Sequence, residues 1–199
     1  SGLVGSEMCI RDRTLPDHAF RFYLGQDARY LQDYAKALAG LAARTDAVDE
    51  TTYWSYSAYS SQVEEAELHR TWLAGEPTVA PSPVTQAYTN FLLTSVFVDD
   101  YVVGAAAVLP CYWLYAQTGA QITRIPDEHP YAAWLHTYHD DEFVQATAQA
   151  LAIVERAFAL AAPQARSRAA RAYLTACRHE VEFFDQALRV DPDDPGCDE

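Results

Sequence analysis

The chain has 199 residues, half of them hydrophobic and 13% aromatic, with 28 acidic side chains against 14 basic ones and a formal net charge of −14. That length and apolar content predict one domain with a full core and exclude a disordered chain. The acidic balance lacks the clustered Lys and Arg that nucleic acid or an anionic membrane surface requires, so neither is expected as a partner. The four cysteines, Cys9, Cys111, Cys177 and Cys197, form no Cys-x-x-Cys pair and no dense framework. The reducing cytoplasm is the expected location.

Residues 1–13 carry no useful periodicity and read as a leader or scar outside the fold. A single domain is expected over 14–189, followed by an acidic tail at 190–199. Thr14-Leu-Pro-Asp17 supplies turn chemistry before a first helix from about His18 to Ala43, with Phe20, Tyr23, Leu24, Tyr30, Leu31, Tyr34, Leu38 and Leu41 on its apolar face. Asp27 falls on that same face. A carboxylate there must be paired or hydrogen-bonded, either as a structural acid or as one facing a ligand.

A second helix is predicted from about Thr52 to Ala74, with Trp54, Ala58, Glu65, Leu68 and Trp72 along one side and His69 within reach of Glu65; Gly75 ends it. Ser82-Pro83 opens a third helix as N-cap and first helical residue, carrying Tyr88, Leu92 and Val96 to Asp99.

The run Tyr101–Thr123 holds no charged residue. It is long enough to suggest a membrane span, but Gly104, Pro110, Gln117, Thr118, Gly119 and Gln121 predict the buried central helix of a soluble protein, ending at Gly119. Cys111 and Tyr115, four residues apart, share one face of it. Pro110 is expected to bend the helix beside the thiol. Cys111 is either a nucleophile or packing.

A turn at 125–130 leads to a short helix with Trp134 and Tyr138. Two further helices are expected, Asp140–Leu160 and Gln164–Leu188, parted by Pro163. The last places Tyr173, Cys177, Glu180, Val181, Phe184 and Leu188 on one face, making Glu180 a third inward acid. No segment alternates like a strand, and no phosphate-binding glycine loop occurs. The fold class is all-α.

Inward acids among tyrosines predict a polar pocket in a helical bundle. A di-iron site would call for Glu-x-x-His pairs, which the chain lacks, so no metal is expected. A flat aromatic ligand fits better: rings supply stacking faces, a carboxylate accepts from an exocyclic amine, and a thiol can add to an electron-poor ring.

Five segments together resemble the TenA family, the class II thiaminases. They are Phe22-Tyr-Leu-Gly-Gln-Asp27-Ala-Arg-Tyr30-Leu, Leu109-Pro-Cys111-Tyr-Trp-Leu-Tyr115, Glu180-Val-Glu-Phe183-Phe, Ser82-Pro with Tyr88-Thr, and His129-Pro-Tyr with Trp134 and Tyr138. The match runs in order from about Thr14 to Leu188. The resemblance implies a haem-oxygenase-like helical bundle, a homotetramer, and no cofactor. It also implies hydrolysis of 4-amino-5-aminomethyl-2-methylpyrimidine to the hydroxymethyl pyrimidine in thiamin salvage, with thiamin cleavage as a second activity.

By position, Cys111 matches the nucleophile and Glu180 the proton-shuttling carboxylate. Asp27 matches the acid holding the ring nitrogen and amine. Tyr30 and Tyr138 match hydroxyls that bond the pocket acids and the thiol. Tyr88 and Phe183 match aromatics lining the pyrimidine, and Tyr115 a further pocket tyrosine. Cys111 sets the chain with the cysteine-bearing branch. The family carries a helix before the Thr-Leu-Pro turn, and residues 1–13 do not read as its end, so the bundle is expected without that first helix. A non-catalytic pyrimidine-binding or regulatory protein on the same scaffold is the alternative.

Overall fold

A computed structural model describes residues 16–73, 79–121, 131–132, 135 and 140–190. The expected leader, the tail beyond residue 190, Gly75, His129, Trp134 and Tyr138 lie outside the described residues, as do the side chains of Glu65 and His69.

Six helices carry the fold: α1 Asp17–Ala42, α2 Val48–Trp72, α3 Pro83–Phe97, α4 Tyr101–Gln121, α5 Asp141–Leu160 and α6 Pro163–Ala187. No strand occurs among the described residues. The all-α expectation holds, and most helix boundaries fall within two residues of those read from the sequence. Two differ. Helix α2 begins four residues before Thr52, because the Thr45 hydroxyl accepts from the Ala47 amide, Thr51 N–H donates to the Ala47 carbonyl, and Asp49 and Glu50 supply first-turn acids. Helix α4 continues past Gly119 to Gln121 and is unbroken across Pro110.

Helix α4 is the axis, packed chiefly on α6 and α5 and also on α3 and α1; α1 packs mainly on α2 and α3. Val102 to Leu109 are buried without interruption, which is why this segment reads as uniformly apolar. No helix among the described residues is long and apolar enough to cross a membrane. Close approach of α3 and α4 requires Gly104, where a Cβ would stand 2.9 Å from Val96 Cα and 3.1 Å from the Ser95 carbonyl oxygen.

The inward face of α6 departs from the expected one. Leu188 is exposed and Tyr173 and Cys177 are half-buried, while Ala169, Ala172, Ala176, Glu180, Phe183, Phe184 and Ala187 point inward. Large side chains drew the sequence reading one position off. The stripe is largely alanine, whose small volume suits close packing of α6 against α4.

A buried polar cluster fixes α3 against α1 and α6. The Ser82 amide and Thr85 hydroxyl both donate to Gln26 Oε1 at 2.8 Å, and the Ser82 hydroxyl donates to Gln186 Oε1 at 2.6 Å. Ser82 also caps α3, accepting from the Thr85 amide. Gln26, next to Asp27, thus sets the start of α3 and with it the depth at which Tyr88 stands.

Candidate functional site

Helices α1 and α4 run side by side with their tyrosines in opposite order. At one end the Tyr23 and Tyr115 hydroxyls lie 2.9 Å apart in a hydrogen bond; at the other, the Tyr34 and Tyr112 rings are 6.1 Å apart. Between them lies a cavity of about 60 Å3 whose wall includes Asp27, Tyr30, Tyr34, Cys111, Tyr112 and Tyr115, with Leu31, Ser61 and Phe143. The spacing that put Cys111 and Tyr115 on one helical face therefore brings both to one cavity, and Asp27 joins them from the opposite helix.

Glu180 is 1% exposed. Its Oε1 accepts from the Tyr88 hydroxyl at 2.7 Å. Burial pushes its pKa up to about 8; the Tyr88 hydrogen bond opposes that shift, and the charge of Asp27 adds to it. At neutral pH Glu180 is thus largely an un-ionised acid.

Tyr88, Phe183 and Glu180 stand one layer behind the cavity wall. Tyr30 separates them from the open space, its ring 5.0 Å from Tyr88 and 5.5 Å from Phe183. Tyr88, expected as a ring lining the pyrimidine, bonds the acid through its hydroxyl. Tyr30 was expected to bond acid or thiol; its buried hydroxyl stands close enough to the Cys111 thiol and the Tyr88 hydroxyl to lower the pKa of each through hydrogen bonding. Tyr88, on α3, faces α6 directly, whereas Tyr30 projects from α1 to the cavity wall. Tyr138 lies outside the described residues.

Cys111 is half-buried at the wall. Its thiol pKa is held well above the ordinary value, first by burial and then by the Glu180 charge. The Tyr30 phenol pulls it down, Asp27 pushes it up, and Tyr34 pulls it down. The resting group is the thiol, so its proton must be taken up as sulfur adds to a carbon. Among the described residues no three His, Cys, Asp or Glu side chains gather as a metal-binding cluster.

A thiol, a carboxylate and phenols around one small cavity, with a protonated acid behind it, can bind a flat heteroaromatic ring and add sulfur to it. The sequence pattern of the TENA/THI-4/PQQC family matches residues 8–190. The chain belongs to this family.

Among family relatives, the thiamine biosynthesis multifunctional protein ThiED of Corynebacterium efficiens is 50% identical over 185 residues, covering 90% of this chain. The chain spans 25% of that relative's length. The aminopyrimidine aminohydrolase of Bacillus subtilis is 29% identical over 188 residues, covering 90% of this chain and 80% of the relative. The fold matches that of a solved TenA family protein from Silicibacter, with a TM-score of 0.85 at 24% identity, covering 93% of this chain and 88% of the other. The TenA homologue of P. horikoshii gives 0.81 at 23% identity, covering 92% and 89%. The family resemblance and the helical-bundle fold read from the sequence both hold.

Sequence reasoning did not single out Glu50. It is 6% exposed, accepts from Tyr101, Thr45 and Arg156, and joins α2 to α4 and α5 away from the cavity. Its signal was present as an acid near the start of α2, but the helix was expected to begin later. Tyr34 and Tyr112 were read as core or left without a role, because nothing in the helical period separates a core phenol from a cavity-lining one.

Proposed function

We propose that the chain hydrolyses 4-amino-5-aminomethyl-2-methylpyrimidine to the hydroxymethyl pyrimidine and ammonia, and cleaves thiamin to the same pyrimidine and the thiazole as a second activity. The observation that carries this reading is Cys111 and Asp27 on one cavity wall with Glu180 held un-ionised behind it. Aminopyrimidine aminohydrolases among the relatives support the substrate class.

In this reading Asp27 holds the ring amine and the adjacent ring nitrogen. The Cys111 thiol adds across a ring carbon–nitrogen bond, sulfur to carbon and proton to nitrogen. The lone pair of the ring amine then expels the side-chain amine, which takes a proton from Glu180 and departs as ammonia. Water adds to the exocyclic carbon so left and returns a proton to the Glu180 carboxylate. Loss of the thiol restores the aromatic ring, and the enzyme ends as it began. A ligand cleft typically holds about 300–1,000 Å3. The 60 Å3 cavity must therefore widen on binding, and displacement of the Tyr30 ring would both make room and bring Glu180 to the substrate.

Ammonia release from the aminomethyl pyrimidine, measured beside thiamin cleavage for the parent and Cys111→Ser, tests the reading. Release that disappears in a folded Cys111→Ser variant supports it, and retained turnover refutes the covalent step. Binding of the pyrimidine without release by the parent would favour the non-catalytic alternative. A cytoplasmic homotetramer is part of the same proposal, and light scattering on the purified chain checks the assembly.

A further inference from the structure

Helix α6 meets Tyr88 with two consecutive residues. Glu180 takes the hydroxyl, accepting from it at 2.7 Å, and His179 takes the ring, its plane 13° from parallel and its centroid 5.1 Å away. Consecutive helical residues point about 100° apart, so one side chain reaches the phenol oxygen while its neighbour lies on the ring face. The same imidazole rests against Phe91 at 5.2 Å, three residues further along α3, and so spans two rings of that helix.

The nitrogens of His179 do not account for its place. Its Nδ1 is buried with no hydrogen-bond partner among the described residues, and the Glu182 carboxylate, 4.0 Å away, is beyond hydrogen-bond reach. Burial lowers the His179 pKa and the Glu182 charge opposes that, so the ring is largely neutral at pH 7. A side chain that leaves a buried nitrogen unpaired and lays its face on a neighbouring ring contributes through that face.

What the face holds bears on the reacting acid. Tyr88 gives the Glu180 carboxyl its one hydrogen bond among the described residues. The other titratable groups facing Glu180, which are Asp27, Tyr23 and Tyr30 on α1, Cys111 on α4 and Cys177 on α6, are coupled to it by charge rather than by a hydrogen bond. Tyr30 also meets the Tyr88 ring, at 5.0 Å, but Tyr30 is the side chain that substrate displaces in the reading above. His179 lies outside the cavity wall and has no such reason to move.

We propose that His179 is a positioning residue of the reaction: stacked on the Tyr88 ring, it keeps the Tyr88 hydroxyl on Glu180 and so sets how readily Glu180 gives up its proton. This rests on the reading of Glu180 as the acid that protonates the leaving amine. The direction follows from the chemistry, since a hydrogen bond to a carboxylate favours the ionised form, and a phenol free to lean away leaves the proton more tightly held.

The test titrates Glu180 in the ligand-free protein by carbon-13 NMR of labelled glutamate carboxyls, its signal identified by its absence from Glu180→Gln. In parallel, kcat/KM for ammonia release is followed against pH. Tyr88→Phe, which removes the hydrogen bond outright, should raise the Glu180 midpoint by about one pH unit. His179→Ala, and His179→Leu, which keeps most of the packed volume, both take away the flat partner. Each should raise the midpoint by about half as much, with the alkaline fall in kcat/KM moving up alongside. His179→Phe keeps the face and should titrate like the parent. In the Tyr88→Phe background His179→Ala should add nothing, because its effect passes through the phenol. An unmoved midpoint in the folded alanine or leucine variant, a rise in His179→Phe equal to theirs, or a further rise in the double variant overturns the inference; a side chain that only fills space lowers stability without moving the midpoint. Midpoints that shift as stated in a parent that releases no ammonia leave His179 as the support of Tyr88 and sink the hydrolase reading. Ammonia release with an unmoved midpoint sinks the inference alone.

Discussion

Replacing Glu180 by Gln keeps the size of the side chain and leaves an oxygen to accept from Tyr88, but removes the titrating group. The carboxyl has a folded-state pKa of about 8 against an ordinary value of 4.5, with burial the main cause. The folded protein therefore holds this proton more tightly than the unfolded chain. Its stability is complete below pH 4.5 and falls as pH rises, until the folded group itself ionises. Each pH unit in that window is worth about 1.4 kcal/mol, so the parent loses about 3 kcal/mol by pH 7 and about 5 kcal/mol above pH 8. Gln carries no such penalty. Urea unfolding of both proteins at pH 5, 6, 7 and 8 should give a stability difference that widens in favour of Glu180→Gln and levels off above pH 8. Ammonia release should be lost in the same variant. A difference that does not change with pH would refute the argument that burial holds this acid un-ionised.

Three further perturbations test other parts of the structure. Tyr88→Phe removes the donor that favours the Glu180 carboxylate, so the alkaline fall in the rate of ammonia release should move to higher pH, with a stability loss of about 1–2 kcal/mol; a pH–rate profile and urea unfolding check both. Gly104→Ala should cost about 1–3 kcal/mol, because its Cβ would meet backbone atoms of Val96 and Ser95, whereas Gly25→Ala meets only the Val79 side chain and should be milder; thermal unfolding ranks the pair. Arg156→Met should move the acid unfolding transition to higher pH. Glu50 holds a lowered pKa against the opposing effect of its burial through hydrogen bonds from Tyr101, Arg156 and Thr45, so the stability it contributes is lost as pH falls, and earlier without the guanidinium. Circular dichroism across an acid titration reads the shift.

The elements were legible because their signals are local. Ser82-Pro83 is an N-cap followed by a proline at the first helical position, a start signal in any context, and α4 is uncharged from end to end because it is buried from Val102 to Leu109. Asp27 and Glu180 announced themselves as acids on apolar faces, which burial confirms. The face of α6 was misplaced because alanine gives a weak hydrophobic signal even where it decides how closely two helices pack. The start of α2 was misplaced because Thr45 acts through a side-chain bond that periodicity does not register.

By itself, the sequence determined that this is an all-α protein, the order of its helices, and that Asp27 and Glu180 turn inward, since each follows from spacing along a single helix. Tertiary structure alone decided how those groups divide. Asp27 and Cys111 reach the cavity while Glu180 stays behind Tyr30, and Tyr88 rather than Tyr30 holds the acid. Such distinctions turn on the rotation of one helix against another, a few ångströms set by Gly104, by the alanines of α6 and by the Gln26 cluster, and no pattern within one helix contains them.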